Sequence, residues 1–474
     1  MKKRIAVAGA AALAVVLAVA LAVQLVPGSV PAAQAALVKA EYPSMAPYPV
    51  EADYYDEVSG ELDYDRYSED WDAWRKSRTA LYSDLDTAPL APFLTASAKE
   101  LLAEDGGKNK VYSPLNLYMA LSMLTQTTGG ESRQQLLDLL GASSAEELRQ
   151  QAPALWKNHY RDDGLVTSVL GNSLWLRDDM GYSQETLELL ARDYYASSFR
   201  GKMGAAEYDQ ALRDWINEQT HGLLAEQANG LEMAPETVLA LASTLYFKAP
   251  WADEFQSERT APQTFHAPTG DVETDFMHRS MSGSYYWGDH FSAVELRFQE
   301  GGSMWFLLPD EGVTPAELAA SGEAMDFLLF SKQGRYDQER GEFVDQWPGQ
   351  KYLIINVALP KFDVSVDLDL IATLQSMGVT DIFDTAAADF TPLGAETDDP
   401  LYVSRAQHAA RVTVDEEGCE AAAYTVIMVE CGAEMPPEEE VDFVLDRPFL
   451  FCITGIRGLP LFVGVVNNPV EANR

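Results

Sequence analysis

One stretch, residues 414–448, combines the pattern of a β-strand with that of an exposed loop. Alternation predicts a half-buried strand, and every second residue from 419 to 431 is small or apolar: Cys419, Ala421, Ala423, Thr425, Ile427, Val429 and Cys431. The stretch then reaches Pro436, Pro437 and three glutamates, and proline cannot donate to a strand ladder. A segment that is a loop in one state and a strand in another accounts for both patterns.

The ends of this stretch resemble a known family. The run D-E-E-G-C-E-A-A-A at 415–423, followed by D-R-P-F-L-F at 446–451, is similar to the hinge of the reactive loop and the next strand of the serpins. The resemblance implies an α+β fold, with a large mixed β-sheet, flanking helices and smaller sheets. It also implies an exposed reactive-centre loop over 415–442.

Further similarities to serpins follow in the family's order along most of the chain. They include a strand that ends at Ser113 and turns into a buried helix, a long apolar strand over 238–248, and a closing strand over 461–469. The chain has Asn116 where the family usually has serine. The collinear order predicts one serpin domain.

Charge and cysteine content limit the other possibilities. The formal net charge is −39 at pH 7, whereas nucleic acids, heparin-like polyanions and anionic membranes need clustered lysine and arginine, so we expect none of them as partners. Basic partners and simple solubility remain open. An odd set of three cysteines, Cys419, Cys431 and Cys452, favours buried or free thiols over a disulfide framework.

The N-terminus carries a targeting signal. Three basic residues at 2–4, an apolar run over 5–23 and an Ala-Gln-Ala cleavage site at 33–35 predict a secretory signal peptide. The run is also long enough for an uncleaved anchor of marginal length. We expect a protein that is secreted or held at the cell surface. The predicted division is a signal peptide or membrane anchor at 1–35, an acidic, tyrosine-rich linker or extension at 36–88 that acts as a spacer, and a serpin domain at 89–474.

The sequence offers no enzyme chemistry. The six histidines include no H-E-x-x-H motif and no pair at helical ligand spacing, so we expect no metal site. There is no G-x-S-x-G motif and no phosphate-binding glycine loop. A cysteine nucleophile would need Cys419 or Cys431 fixed against a histidine, and both lie in the stretch that we expect to move. No cofactor is expected.

The resemblance implies inhibition by a sacrificial substrate. A protease serine would attack one loop carbonyl, and the cleaved hinge would then insert as a new central strand before water completes hydrolysis. The partner would be a serine protease in a covalent 1:1 complex with a monomer. Insertion needs small residues on the inward face of the hinge. The hinge as a whole comprises Glu416, Glu417, Gly418, Cys419, Glu420, Ala421, Ala422 and Ala423.

Two supporting clusters are also implied by the resemblance. At the top of the insertion site, called the breach, Glu416 would pair with Lys361 beside Trp251. Lower down, the polar gate called the shutter would consist of Ser113, Asn116, Ser243 and His408. The alternatives are an ordinary surface ion pair and a satisfied core histidine.

The reactive bond follows from a count. Inhibitory serpins place it about fourteen residues after the hinge glycine, which leads from Gly418 to Gly432–Ala433, and a slip of one residue gives Cys431–Gly432. Both favour an elastase-like or subtilisin-like protease with a small apolar pocket. Lysine and arginine are absent from 416–443, which disfavours a trypsin-like target. A chymotrypsin-like target, a papain-like cysteine protease and a non-inhibitory binding protein of the serpin fold remain alternatives.

Overall fold

A computed structural model describes residues 36–56, 59–103, 106–331, 335–337, 342–344, 347–394, 401–419 and 439–470. The predicted signal peptide at 1–35 lies outside them. The described α-helices are α1 (Tyr64–Thr79), α2 (Ala91–Leu102), α3 (Pro114–Thr127), α4 (Gly130–Leu140), α5 (Ala145–His159), α6 (Gln184–Asp193), α7 (Ala206–Gln219), α8 (Ala225–Ala228), α9 (Pro315–Ser321), α10 (Glu323–Phe330) and α11 (Ile371–Ser376).

The described strands are β1 (Lys110–Tyr112), β2 (Arg161–Asp162), β3 (Thr167–Arg177), β4 (Ala196–Gly201), β5 (Leu239–Pro250), β6 (Ala261–Ala267), β7 (Gly270–Trp287), β8 (Phe291–Phe298), β9 (Gly302–Pro309), β10 (Arg335–Asp337), β11 (Glu342–Val344), β12 (Gln350–Pro360), β13 (Phe362–Asp369), β14 (Gln407–Val414), β15 (Gly418–Cys419), β16 (Glu440–Val444), β17 (Phe449–Thr454) and β18 (Pro460–Val466). Short 3-10 turns lie at Glu51–Tyr54, Ala88–Leu90, Ser257–Arg259, Asp381–Phe383 and Thr391–Leu393.

Two large sheets organise the molecule. The first has the order β13-β14-β15-β5-β3-β2, with β4 beside β3, and the second has the order β1-β18-β17-β9-β8-β7-β12-β16, with β6 beside β7. Strands β10 and β11 form a separate pair. Most neighbours are antiparallel, but β3 with β4 and β12 with β16 are parallel. The predicted mixed α+β architecture is confirmed.

Helix α3 lies between the two sheets. It begins after the N-cap Ser113, whose hydroxyl accepts a hydrogen bond from the Asn116 backbone N–H, with Pro114 in its first turn. Of its 14 residues, 13 are buried, which is the pattern of a helix covered on all sides. It contacts β5 of the first sheet and β18 of the second. The apolar helix expected after Ser113 therefore forms part of the core.

The described part of the segment predicted as a linker or extension, 36–88, packs against the main body. In the described part of 36–88, α1 buries Trp74, which is 2% exposed and donates its indole N–H to Asp163 Oδ2 at 2.9 Å. Val38 forms a β-bridge with Ser198, the middle of β4, whose backbone N–H donates to Val38 O at 2.8 Å. Tyr42 packs against Trp156, Tyr160 and Tyr195, so these contacts join residues distant in sequence and no regular apolar period marks them. This segment is a docked extension.

Candidate functional site

The described part of the predicted hinge, residues 416–419, lies at the top of the first sheet. Strand β15 is seated between its neighbours, with Cys419 opposite Val414 of β14 and Ala249 of β5. Gly418 lies so close to β5 that a Cβ there would stand 2.3 Å from the Ala249 carbonyl oxygen, and only glycine fits. Cys419 is 2% exposed. Within the loop predicted over 415–442, residues 418–419 form β15 and residues 440–442 belong to β16.

Below β15 the sheet is open. Among the described residues, no ladder joins β14 directly to β5, and the two strands meet only through β15. A groove of about 400 Å³ continues along this gap, and it is lined by Leu241 and Ser243 of β5 and by Gln407 and Ala409 of β14. Helix α7 contributes Ile216 to its wall. The groove thus lies between β5 and β14, the two strands that flank β15.

The structure brings together the three breach residues. Lys361 Nζ lies 2.7 Å from Glu416 Oε2, and the Thr260 hydroxyl donates to Glu416 Oε1 at 2.9 Å. The hydrogen bond to Glu416 raises the pKa of Lys361. Burial opposes ionisation of Glu416, but the hydrogen bonds from Lys361 and Thr260 outweigh it and lower the pKa of the carboxyl. Thr260 was not foreseen, because nothing in its local sequence links it to the hinge.

Trp251 holds the turn that leads into β15. Its indole N–H donates to Asp415 O at 2.9 Å, and its backbone N–H donates to Glu417 O at 2.9 Å. The Asp415 carboxylate accepts from the backbone N–H groups of Glu417 and Gly418 at 3.0 and 3.2 Å. Trp251 itself is buried. The turn at 415–418 is therefore fixed to β5 on one side and closed by its own aspartate on the other.

Three of the four shutter residues also meet. The Ser113 backbone N–H donates to His408 Nε2 at 2.9 Å, and Ser113 Oγ accepts from the Asn116 backbone N–H at 3.2 Å. His408 is buried, and burial lowers the pKa of its imidazole to about 4. Its Nε2 accepts a hydrogen bond, so the neutral ring carries its proton on Nδ1. The buried imidazole is thus neutral at physiological pH.

Ser243 makes a different contact from the one expected. Its hydroxyl donates to Asn172 Oδ1 at 2.7 Å, and Asn172 Nδ2 donates to Tyr194 O at 2.8 Å. Asn172 was missed as a site residue, although a buried amide in the apolar strand β3 signals a need for polar partners. The pair ties β5 to β3.

The remaining predicted site residues lie outside the described residues. These are Glu420, Ala421, Ala422 and Ala423 of the hinge and Cys431, Gly432 and Ala433 of the reactive bond. Within the described part of the chain, no group of three or more His, Cys, Asp or Glu side chains could hold a metal ion. No described helix is both long and apolar enough to cross a bilayer.

Comparison with known proteins adds a family assignment. Residues 91–469 match the family model described as Serpin (serine protease inhibitor). The chain is 30% identical to Serpin-Z2B of Triticum aestivum over 403 residues, which cover 80% of this chain and 94% of the wheat protein. It is 28% identical to plasminogen activator inhibitor 1 of Neovison vison, with 78% and 90% covered.

Solved structures give the same fold. The crystal structure of tengpin, a thermophilic serpin, in its native state superposes with a TM-score of 0.69 at 24% identity, covering 82% of this chain and 96% of tengpin. AtSerpin1 of Arabidopsis in its native stressed conformation superposes with a TM-score of 0.65, also at 24% identity, covering 82% and 100%. At this identity the likeness concerns the fold alone.

Proposed function

The chain belongs to the serpin family, and from that premise we propose that it is an exported suicide inhibitor of serine proteases. Serpins are in general protease inhibitors rather than enzymes. The observation that carries the proposal is the position of β15. Gly418 and Cys419 stand at the head of an open groove between β5 and β14, and the residues that follow them alternate as a strand would.

The proposed reaction begins as ordinary proteolysis. The Oγ of the protease serine attacks the carbonyl carbon of the reactive bond, the peptide C–N bond breaks, and the new amine takes a proton and becomes the N-terminus of the C-terminal peptide. The N-terminal part of the loop remains as an ester on the protease. Water would then free the protease unless the loop moves first.

Strand insertion supplies the competing step. Continuing the register of β15, residue 420 would stand opposite Thr413 and Lys248, and residue 421 opposite Val412 and Phe247. Cys419 is buried, so Ala421 and Ala423 would share its inward face and Glu420 would face outwards. Small inward residues permit fast insertion, which carries the acyl-enzyme away from the loop's original position.

The loop sequence favours a protease with a small apolar primary pocket. Gly432–Ala433 is the proposed bond and Cys431–Gly432 the neighbouring alternative. We propose an elastase-like or subtilisin-like target, bound as a covalent 1:1 complex by a monomer. The basic and apolar N-terminal residues support export, with the inhibitor acting outside the cell.

The test is to incubate the mature chain with elastase and examine the mixture by denaturing gel and intact mass. We expect an adduct that survives boiling in detergent, together with a released peptide that begins at Ala433, or at Gly432 for the alternative bond. Elastase whose serine has been blocked is the control and should give no adduct. Clean loop cleavage without adduct by elastase, subtilisin, chymotrypsin and papain would refute the proposal.

A further inference from the structure

A narrow recess lies where the N-terminal extension meets the main body. Met45, Leu81 and Tyr82 of the extension form one wall, and the end of α5 with strands β2 and β3 forms the other. The recess has about 20 Å³ available to the centre of a water-sized sphere, which is room for one water or an ion of similar size. Its occupant would touch both the extension and the body.

Three buried polar atoms around this recess lack hydrogen-bond partners among the described residues. They are Arg161 Nη2, His159 Nδ1 and Ser168 Oγ. The three residues are 3%, 6% and 5% exposed. A buried polar group without a partner costs about 1–3 kcal/mol, and more if it is charged. Three such groups around one small space indicate a ligand that they share.

The guanidinium of Arg161 shows what kind of ligand this is. Its Nε donates to Asp163 Oδ2 at 2.6 Å, and its Nη1 donates to the backbone oxygen of Glu300. Only Nη2 is left, and a guanidinium nitrogen can only donate. Glu300 has a positive φ of 58°, so the turn adopts a costly conformation that places this oxygen on the arginine. The remaining N–H groups therefore require an acceptor.

The neighbouring carboxylates cannot serve as that acceptor, because their oxygens have other donors. Asp163 accepts from Arg161, from the Trp74 indole at 2.9 Å, and from the backbone N–H groups of Leu165 and Val166 at 3.1 and 2.9 Å. The Glu300 carboxylate forms an ion pair with Arg78, another residue that lines the recess. The anionic groups nearby are thus already paired with donors.

We propose that this recess, bounded by His159, Arg161 and Ser168, binds a small monovalent anion of the halide class. Arg161 Nη2 provides the charged donor, the Ser168 hydroxyl provides a second, and His159 provides a ring N–H when Nδ1 carries the proton. A cation would meet Arg161 and Arg78. Sulfate and phosphate exceed the room for one water-sized sphere. The bound anion would fasten the extension to the body.

The experiment uses the full mature chain. Thermal unfolding is followed while sodium bromide or chloride replaces sodium gluconate at constant ionic strength, and crystals grown in bromide are measured at the bromine absorption edge. We expect a saturable rise in Tm with both halides relative to gluconate, and an anomalous peak beside Arg161 Nη2. A recess that holds only water would give neither result and would overturn the proposal.

Two variants separate a site from a general salt effect. Ser168→Ala removes one donor and should weaken the apparent halide affinity about fivefold or more, the equivalent of one buried hydrogen bond. Ser198→Ala is the matched control, because its buried hydroxyl also lacks a partner but does not line the recess. Equal halide dependence in both variants would contradict the assignment, whatever their absolute stability.

Discussion

Replacing Cys419 with arginine tests whether the hinge acts by inserting between β5 and β14. Cys419 is 2% exposed and stands opposite Val414 and Ala249. Because Cys419 already lies in the sheet before cleavage, a buried guanidinium there would cost several kcal/mol, so we expect β15 of the variant to leave the sheet and insertion to require burial of the arginine. With about 4 kcal/mol in the barrier and a tenfold change for each 1.4 kcal/mol, insertion would slow roughly 1,000-fold.

The completed strand would still be favourable. Strand β14 has eight residues, so a strand of equal length would bring about sixteen backbone N–H and C=O groups into hydrogen bonds. At about 1 kcal/mol net for each bond, insertion would add on the order of 16 kcal/mol, which exceeds the cost of one buried arginine. The substitution should therefore delay insertion rather than abolish it.

The assay compares adduct with cleaved inhibitor, using the protease that traps the wild type. We expect mostly adduct from the wild type and mostly cleaved chain with active protease from Cys419→Arg, because hydrolysis now precedes insertion. After cleavage, the Tm of the arginine variant should rise slowly towards the wild-type value. Cys419→Ser keeps the residue small and is the control. An adduct yield in Cys419→Arg equal to that of the wild type would refute the role of this position.

Three further predictions concern the rest of the molecule. Trp74→Ala should lower the free energy of unfolding by about 3–5 kcal/mol and make the extension susceptible to limited proteolysis. Tyr64→Ala on the same helix should change neither the stability nor the proteolysis, because Tyr64 is 67% exposed. Burial lowers the pKa of His408 to about 4, from an unfolded value of about 6.5. Its contribution of about 3 kcal/mol to the free energy of unfolding is therefore present above pH 6.5 and lost as the pH falls towards 4. Urea unfolding measured against pH should show a smaller loss of stability in His408→Gln. Lys361→Ala should lower the free energy of unfolding by only about 1 kcal/mol in calorimetry, because Lys361 is 39% exposed and an exposed ion pair with Glu416 is weak. The difference between the variant and the wild type should vanish once Glu416 is protonated.

Strongly apolar runs were predictable from the sequence because burial dominates their local preference. Helix α3 begins at Pro114, directly after Ser113 as the sequence predicts, and β5 covers most of the apolar run at 238–248. The hinge was also visible, since alternating small residues have few uses outside a strand. In each case the residues themselves carry the signal within one short segment.

Contacts between distant residues were harder to foresee. Trp74 is fixed by Asp163, which lies 89 positions away, and Ser243 bonds to Asn172, 71 positions away. A local pattern shows that a polar or aromatic group needs a partner but does not say which one. The contacts that fix the extension and the bond from Ser243 to Asn172 could therefore not be predicted from the sequence.

The register of β15 leads to a last prediction, concerning Lys248. The next hinge residue to insert, Glu420, would stand opposite Lys248 of β5 on the outward face. Opposite charges across a ladder contribute roughly 0.2–1 kcal/mol, and like charges directly opposite are destabilising. Lys248→Glu should therefore lower the ratio of adduct to cleaved inhibitor severalfold, while Lys248→Gln should change it less, and high salt should reduce the difference. Equal ratios for the two variants at low salt would show that the inserting strand follows another register.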